Sequence, residues 1–244
     1  MGTKSENFYL ANWENYYRSM SSKPEDIPWD VDPQLAIGLD IKVMRKFFNP
    51  HLAVVDVGCG IGTQTQLLAE EFQKVIGTDI SHEAVKIAAG KFSSANLSFQ
   101  QLDILNKEQV QELSEELGDC NVYMRGTLQQ ILINDRDAFV ESLALLLGRN
   151  GILYFIELSD DAKNYFFRLK LKLGDFPKQL KRVLTEKVTE LVGVNERELD
   201  KIFPPDTFSI ELKGNSTIAL KLDDDHYADV PATYAVILVR KLVP

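Results

Sequence analysis

The chain has 244 residues, 45% of them hydrophobic and 26% charged, and its 27 basic and 36 acidic side chains give a formal net charge of −9. This composition is typical of a globular protein and excludes wholesale disorder, and the acidic balance argues against a nucleic-acid partner. No apolar stretch reaches the roughly 18 residues of a membrane helix, so we expect a soluble, cytoplasmic protein without a membrane partner. Two cysteines and three scattered histidines show no metal-ligand spacing, so we expect no metal site.

Residues 1–48 precede the first predicted strand and are rich in aromatic side chains. Five of them recur at near-helical spacing: Phe8, Tyr9, Trp13, Tyr16 and Tyr17. The proline-rich stretch 21–33 adds Trp29. This pattern predicts a helical lid, and the alternative is a helix that packs passively on the core.

From residue 53 onward, short apolar runs alternate with amphipathic stretches. We predict strands at 53–57, 75–79, 97–102, 121–125, 152–158, 207–212 and 232–240, with helices at 63–73, 81–92, 107–117 and 135–147. A lysine- and arginine-rich segment at about 160–201 interrupts the alternation as a helical insertion. The pattern predicts an α/β domain over residues 49–244, with a mostly parallel sheet covered by helices.

A glycine-rich loop follows the first predicted strand, in the run Asp56-Val57-Gly58-Cys59-Gly60-Ile61-Gly62-Thr63. Glycines at the carboxyl end of a buried strand let the backbone turn sharply and approach a ligand. A dinucleotide fingerprint would need its third glycine at Thr63, and no Gly-Lys-Ser/Thr follows, so NAD, FAD and ATP are disfavoured.

Acidic residues end the next two predicted strands. Asp79 is placed to accept hydrogen bonds from two ribose hydroxyls, and Asp103 could accept from an adenine amine while Ile104 covers the ring. The alternative for Asp79 is a helix cap. Together with the glycine loop, these residues indicate a nucleoside-shaped site at successive strand ends.

These motifs resemble those of the class I S-adenosylmethionine-dependent methyltransferases, over roughly residues 34–160. The resemblance implies a Rossmann-like seven-stranded sheet with helices on both faces, strand order 3-2-1-4-5-7-6 and an antiparallel strand seven. It implies S-adenosylmethionine (SAM) as cofactor, held by the loop, the strand-end acids and the segment after strand four: Asp56, Gly58, Cys59, Gly60, Gly62, Thr63, Asp79, Ile80, Asp103, Ile104, Arg125 and Gly126.

The methyl acceptor is less well indicated. The predicted acceptor-site residues come from the leader and from the ends of strands four and five: Tyr16, Tyr17, Trp29, Gln129 and Glu157. Glu157, Asp160 or Asp161 could act as a general base, and Arg125 could clamp an acceptor carboxylate. The Asp/Asn-Pro-Pro-aromatic tetrad of nucleic-acid amine methyltransferases is absent after strand four.

Three functions remain open from the sequence. The first is methyl transfer to a small molecule at oxygen or nitrogen. The second is methyl transfer to a thiol or halide, because Trp13 and the run Ile27-Pro28-Trp29-Asp30 resemble the entrance of thiol, thiopurine and halide methyltransferases. A nucleoside-binding scaffold without turnover is the third. The sequence indicates no oligomeric state.

Overall fold

The computed structural model describes residues 4–23, 26–176, 180–181, 183, 193–223 and 226–240. Within these residues, seven strands form one sheet: β1 Val54–Val57, β2 Val75–Asp79, β3 Leu97–Gln101, β4 Asn121–Arg125, β5 Ile152–Leu158, β6 Phe208–Lys221 and β7 Tyr227–Val239. Their order is β3-β2-β1-β4-β5-β7-β6. The first five strands pair in parallel, and β7 is antiparallel to both β5 and β6. The predicted order and the antiparallel seventh strand are confirmed.

The described helices are α1 Lys4–Met20, α2 Pro33–Phe47, α3 Thr63–Glu71, α4 His82–Lys91, α5 Lys107–Leu117, α6 Arg136–Leu147, α7 Asp161–Leu173 and α8 Leu199–Ile202. Side-chain caps define several of their starts. Asp32 accepts from the Leu35 amide at α2, Ser81 from the Ala84 amide at α4, and Asn106 from two amides at α5. Each cap satisfies amides that the first helical turn leaves without a partner.

Two apolar cores lie on opposite faces of the sheet, because successive strand residues alternate in direction. On one face Val55, Val122 and Phe155 pack with residues of α5 and α6. On the other face, Val54, Tyr123 and Tyr154 pack with residues of α2 and α3. The predicted coverage by helices on both faces is therefore confirmed.

The last two strands are much longer than the sequence indicates. We predicted strands at 207–212 and 232–240, but β6 runs to Lys221 and β7 begins at Tyr227, and the two pair from Phe208↔Val239 to Lys221↔Tyr227. β5 ends at Leu158, which pairs with Ala232 of β7. The part of the β6–β7 hairpin that the sequence did not predict extends beyond this pair. Because these residues no longer lie in the middle of the sheet, small and polar side chains replace the apolar alternation that marks a buried strand.

The segment predicted as a helical insertion at 160–201 begins with α7 and ends within α8. Residues 177–179, 182 and 184–192 of that segment lie outside the described residues. The outer hairpin packs on α7, where Phe166 and Ala162 contact a cluster that includes Ile218 and Val230. This arrangement builds a wall beside the carboxyl ends of β4 and β5.

Candidate functional site

A large cavity opens at the carboxyl ends of the parallel strands. Its floor comes from the ends of β1 to β4: Asp56, Val57, Gly58, Cys59, Gly60, Thr78, Asp79, Ile80, Leu102, Asp103, Ile104, Leu105, Tyr123, Arg125, Gly126 and Thr127. Its walls come from other elements: Tyr9, Trp13, Tyr17, Pro28, Trp29, Gln64, Gln129, Gln130, Ile131, Leu158, Phe166, Leu180, Val183, Ile218 and Leu220. The edge of a parallel sheet at which strand order reverses is the usual place for a ligand.

The glycine loop is tied to the end of β2. The amides of Gly58 and Cys59 both donate to the Thr78 carbonyl, at 2.8 and 2.9 Å, and the Gly60 amide donates to Asp79 Oδ2 at 2.9 Å. Gly60 has a φ of +56°, and a Cβ there would lie 2.8 Å from the Tyr17 hydroxyl. Only glycine combines this backbone with so close an approach, so the loop presents its backbone to the cavity.

Asp79 is a buried carboxylate whose two oxygens hold two separate backbone segments. It accepts from the Gly60 amide through Oδ2 and from the Ser81 amide through Oδ1, each at 2.9 Å. Desolvation by burial raises the pKa of Asp79 to about 6, although these backbone hydrogen bonds oppose the shift. Each carboxylate oxygen has a second lone pair, so Asp79 can still accept from a ligand hydroxyl at the cavity wall.

Two further groups of the loop are held inside the protein. Asp56 accepts from the Thr65 hydroxyl at 2.7 Å, and burial raises the pKa of Asp56 to about 7. Burial also raises the pKa of the Cys59 thiol well above its usual value, so this thiol stays protonated and packs.

The ends of β2 and β3 form an apolar slot. Ile80, Ile104 and Leu105 line it together with Asp103, whose Oδ1 accepts from the Leu105 amide at 3.0 Å. A flat aromatic ring fits between such aliphatic side chains, and Asp103 places a carboxylate at its rim. These residues, Asp79 and the glycine loop fit a nucleoside.

Glu157 organises the turn after β4 from beneath the cavity. This fully buried carboxylate accepts from the amides of Thr127, Leu128 and Gln129 at 2.9 to 3.1 Å, and burial raises the pKa of Glu157 to about 7. Gln129 lines the cavity while its Oε1 accepts from the Leu158 amide at 2.6 Å. Both groups therefore fix the backbone, and Glu157 does not reach the cavity.

Helix α1 crosses the mouth of the cavity and is attached to both sides of it. The Tyr9 hydroxyl donates to Asp135 and accepts from the Leu132 amide, beyond β4. Glu14 accepts from the Ser81 hydroxyl at 2.7 Å and from the Glu83 amide at 3.1 Å, at the start of α4. These hydrogen bonds lower the pKa of Glu14 despite the opposing desolvation, as expected for a carboxylate at a helix N-terminus.

The predicted site residues separate into those that line the cavity and those that support it. Cavity-lining positions include Tyr17, Trp29 and Gln129 and most of the predicted donor site, Arg125 and Gly126 among them. Tyr16 is buried outside the lining, with its ring stacked on Trp29 at 5.3 Å between centroids. Gly62 and Thr63 lie at the start of α3, also outside the lining, and a Cβ at Gly62 would meet Phe99 and Ala88. Asp160 accepts from the Asn195 side chain.

The sequence reasoning missed the apolar wall of the cavity. Phe166 of α7, Ile218 and Leu220 of β6, and the buried Leu180 and Val183 face it together. The available signal was weak: Ile218 and Leu220 are two residues apart in β6 and share a face, but Ala219 between them is buried as well.

Two features are absent from the described residues. No helix among them is long and apolar enough to cross a membrane. Within the same residues, no group of three or more histidine, cysteine, aspartate or glutamate side chains could hold a metal ion.

Comparison with known proteins agrees with this geometry. A methyltransferase domain model matches residues 48–203. The chain is 34% identical to a SAM-dependent methyltransferase from Anabaena variabilis, with 95% of each chain covered and a TM-score of 0.88. It is similar in fold to magnesium protoporphyrin IX methyltransferase from Synechocystis PCC 6803 with bound SAH, with 21% identity, coverage of 86% and 83%, and a TM-score of 0.56.

Among curated proteins, the chain is 32% identical over 161 residues to the malonyl-[acyl-carrier protein] O-methyltransferase of Priestia megaterium, which covers 64% of this chain and 56% of that protein. It is 25% identical over 119 residues to a ubiquinone biosynthesis O-methyltransferase of Pelagibacter ubique, covering 49% of this chain and 47% of that protein. The matches thus span about half the length of these curated relatives.

The domain match covers well over half of the chain, so the protein belongs to the methyltransferase domain family. It is a SAM-dependent methyltransferase with the Rossmann-like fold of class I. The implied cofactor fits the residues present, because two glycines, a buried carboxylate and an aliphatic slot meet at one sheet edge.

Proposed function

We propose that this methyltransferase transfers the methyl group of SAM to a small molecule, at oxygen or nitrogen. The shape of the cavity supports this proposal. The cavity continues from the strand-end acids to an apolar wall of Phe166, Ile218 and Leu220. That wall is enclosed by α1 and the outer β6–β7 hairpin, so it suits a compact acceptor better than a nucleic-acid strand. The net charge of −9 supports the same choice.

The donor occupies the half of the cavity at the ends of β1 to β3. Asp79 accepts from the ribose hydroxyls, Asp103 and Ile104 hold the adenine, and the loop from Gly58 to Gly60 lies against the remainder. Bound SAM supplies an electrophilic methyl group, so the protein need not supply redox or nucleophilic chemistry of its own.

The protein contributes alignment and exclusion of water. Holding two reactants in attack geometry accounts for about 7 to 11 kcal/mol of a barrier. Residues 1–48 act as a lid on the domain formed by 49–244, with Trp13, Tyr17 and Trp29 over the cavity. A closed aromatic cover removes water from the reacting groups.

Two curated relatives carry O-methyltransferase in their names, which supports oxygen as the acceptor atom. One observation favours a thiol or halide acceptor as the second candidate: Trp13 and Trp29 line the cavity with their rings edge to face, 5.8 Å between centroids. These are the two tryptophans that underlie the resemblance to thiol and halide enzymes.

The test is incubation of the full chain with methyl-labelled SAM and separate pools of phenols, carboxylates, amines, thiols and halides. We expect label in products of the phenol, carboxylate or amine pools. Label in the thiol or halide pool alone would establish the second candidate. Label transferred only to added RNA or DNA would contradict a small-molecule acceptor.

A further inference from the structure

Arg125 brings a positive charge to the floor of the cavity, beside the apolar wall that includes Ile218 and Leu220. It ends β4, and its Nη2 donates to the Ala219 carbonyl of β6 at 3.2 Å. Its Nε is buried and has no hydrogen-bond partner among the described residues. The guanidinium is thus fixed in orientation by the hairpin but keeps unused donor capacity.

Tyr123 adds a second unused donor from the same strand. It lies two residues before Arg125 and so shares its face of the sheet. The residue is 1% exposed and lines the cavity, and its hydroxyl finds no hydrogen-bond partner in the described part of the chain. Burial raises the pKa of Tyr123 well above its usual value, so the hydroxyl keeps its proton for donation.

No carboxylate of the described residues comes within salt-bridge distance of Arg125. Asp40 of α2 interacts with it electrostatically over a longer distance, while its Oδ1 accepts from the Tyr154 hydroxyl at 2.6 Å. Arg125 is partly buried, so its charge is partly desolvated and gains from an anionic ligand. A planar guanidinium beside a hydroxyl donor matches the two oxygens of a carboxylate.

We propose that Arg125 and Tyr123 form a subsite for a carboxylate of the methyl acceptor, so the substrate class is a small apolar acid. This inference rests on the proposed function and names its substrate. The resemblance to methyltransferases placed Arg125 with the donor, which also carries a carboxylate. We assign Arg125 to the acceptor instead, because it is hydrogen-bonded to β6, across β4 from the β2 and β3 ends where the nucleoside lies. The subsite therefore faces the acceptor half of the cavity.

The first measurement separates the two sources of carboxylate. Calorimetry of wild type and Arg125→Met uses S-adenosylhomocysteine, which has the amino-acid carboxylate, and 5′-methylthioadenosine, which lacks it. We expect Arg125→Met to change the affinities for both by less than about threefold. A selective loss of about tenfold or more for S-adenosylhomocysteine would assign Arg125 to the donor and overturn the proposal.

The second measurement uses protein saturated with S-adenosylhomocysteine and three small acids, benzoate, phenylacetate and hexanoate, each beside its primary amide. In wild type we expect at least one acid to bind about tenfold more tightly than its amide. Arg125→Met should abolish that preference, Arg125→Lys should retain part of it, and Tyr123→Phe should reduce it severalfold. Absence of any preference in wild type, or its survival in Arg125→Met, would overturn the proposal.

Arg149→Met is the matched control, because Arg149 is an exposed arginine just before β5, at the opposite edge of the sheet. It should keep the full preference for the acid. Arg125→Met should unfold at about the wild-type temperature, because the loss of the hydrogen bond to the Ala219 carbonyl is offset by removal of a partly desolvated charge. If wild type bound no S-adenosylhomocysteine, the proposed function itself would fail, and this inference with it.

Discussion

Asp79 serves the folded chain and the ligand through the same carboxylate. Its two oxygens already accept from the Gly60 and Ser81 amides, which holds the glycine loop against the end of β2. A ligand hydroxyl would add to this set of hydrogen bonds rather than replace it. The carboxylate is therefore oriented before the donor arrives.

Replacement of Asp79 by alanine should weaken donor binding by about 1.5 to 3 kcal/mol, the usual contribution of a hydrogen bond to a charged group. The same change should lower the thermal midpoint, since two buried amides lose their acceptor. Calorimetry with S-adenosylhomocysteine measures the first effect, with Asp206→Ala, an exposed acid, as control. Wild-type affinity in Asp79→Ala would show that this residue does not hold the ribose.

Three buried carboxyls give the unliganded protein a distinctive pH dependence. Burial raises the pKa of Asp56 and Glu157 to about 7 and that of Asp79 to about 6. Because the folded chain binds these protons more tightly than the unfolded chain, their contribution is present at low pH and is lost as pH rises through 6 and 7.

We therefore expect the free energy of unfolding to fall between about pH 5 and pH 8. Urea denaturation of the unliganded protein across this range measures it. Asp56→Asn should flatten the slope, since an amide oxygen can still accept from Thr65 but no longer titrates. A free energy of unfolding that rises with pH over this window would refute the assignment.

At the scale of elements, α1 is held over the cavity by few polar contacts. Two of its side chains anchor it: Glu14 accepts hydrogen bonds from the start of α4, and Tyr9 donates to Asp135. Its aromatic side chains pack against Ile61 and Ala84, so the helix could dock passively or close over the donor. The two possibilities differ in how the helix responds to ligand.

Glu14→Gln should loosen this docking, because a neutral amide interacts less favourably with the start of α4. Trp13 and Trp29 are the only two tryptophans of the chain and both line the cavity, so their fluorescence reports on the lid. We expect stronger acrylamide quenching in Glu14→Gln than in wild type, and weaker quenching in wild type with S-adenosylhomocysteine.

Glu70→Gln, an exposed change on α3, is the control and should behave as wild type. A passive helix predicts quenching that stays the same when donor product is added. That result would show that Trp13 and Trp29 pack passively against the core and do not form a lid.

The elements differ in how far the sequence predicted them. β1, β2, β4 and β5 were predictable because they are short, mostly buried runs, such as Val54–Val57, and β3, Leu97–Gln101, was predicted although it is only partly buried. The outer half of the β6–β7 hairpin was not, because it pairs beyond β5 and its side chains carry no clean alternation. The docking of α1 was also not predictable, since Glu14 acquires its partners only when α4 is folded beside it.

For the molecule as a whole, the sheet explains why half of the site was foreseeable. Gly58, Asp79 and Asp103 lie at the carboxyl ends of β1, β2 and β3, and parallel strands bring these ends to one edge. The acceptor half depends on α7 and the hairpin, which are distant in sequence and meet only in the folded chain. Spacing also cannot tell that Gly62 lies against Phe99 and Ala88, outside the cavity lining, or that Tyr16 stacks on Trp29 outside it.

Amide hydrogen exchange with and without saturating S-adenosylhomocysteine tests the central claim, that the donor binds at the carboxyl edge of the sheet. We predict slower exchange in residues 56–62, 78–81, 102–105 and 125–131. Exchange should stay unchanged in 49–52, 118–120 and 148–151, which lie at the opposite edge. Protection confined to that opposite edge, or none in the glycine loop when ligand is bound, would contradict the claim.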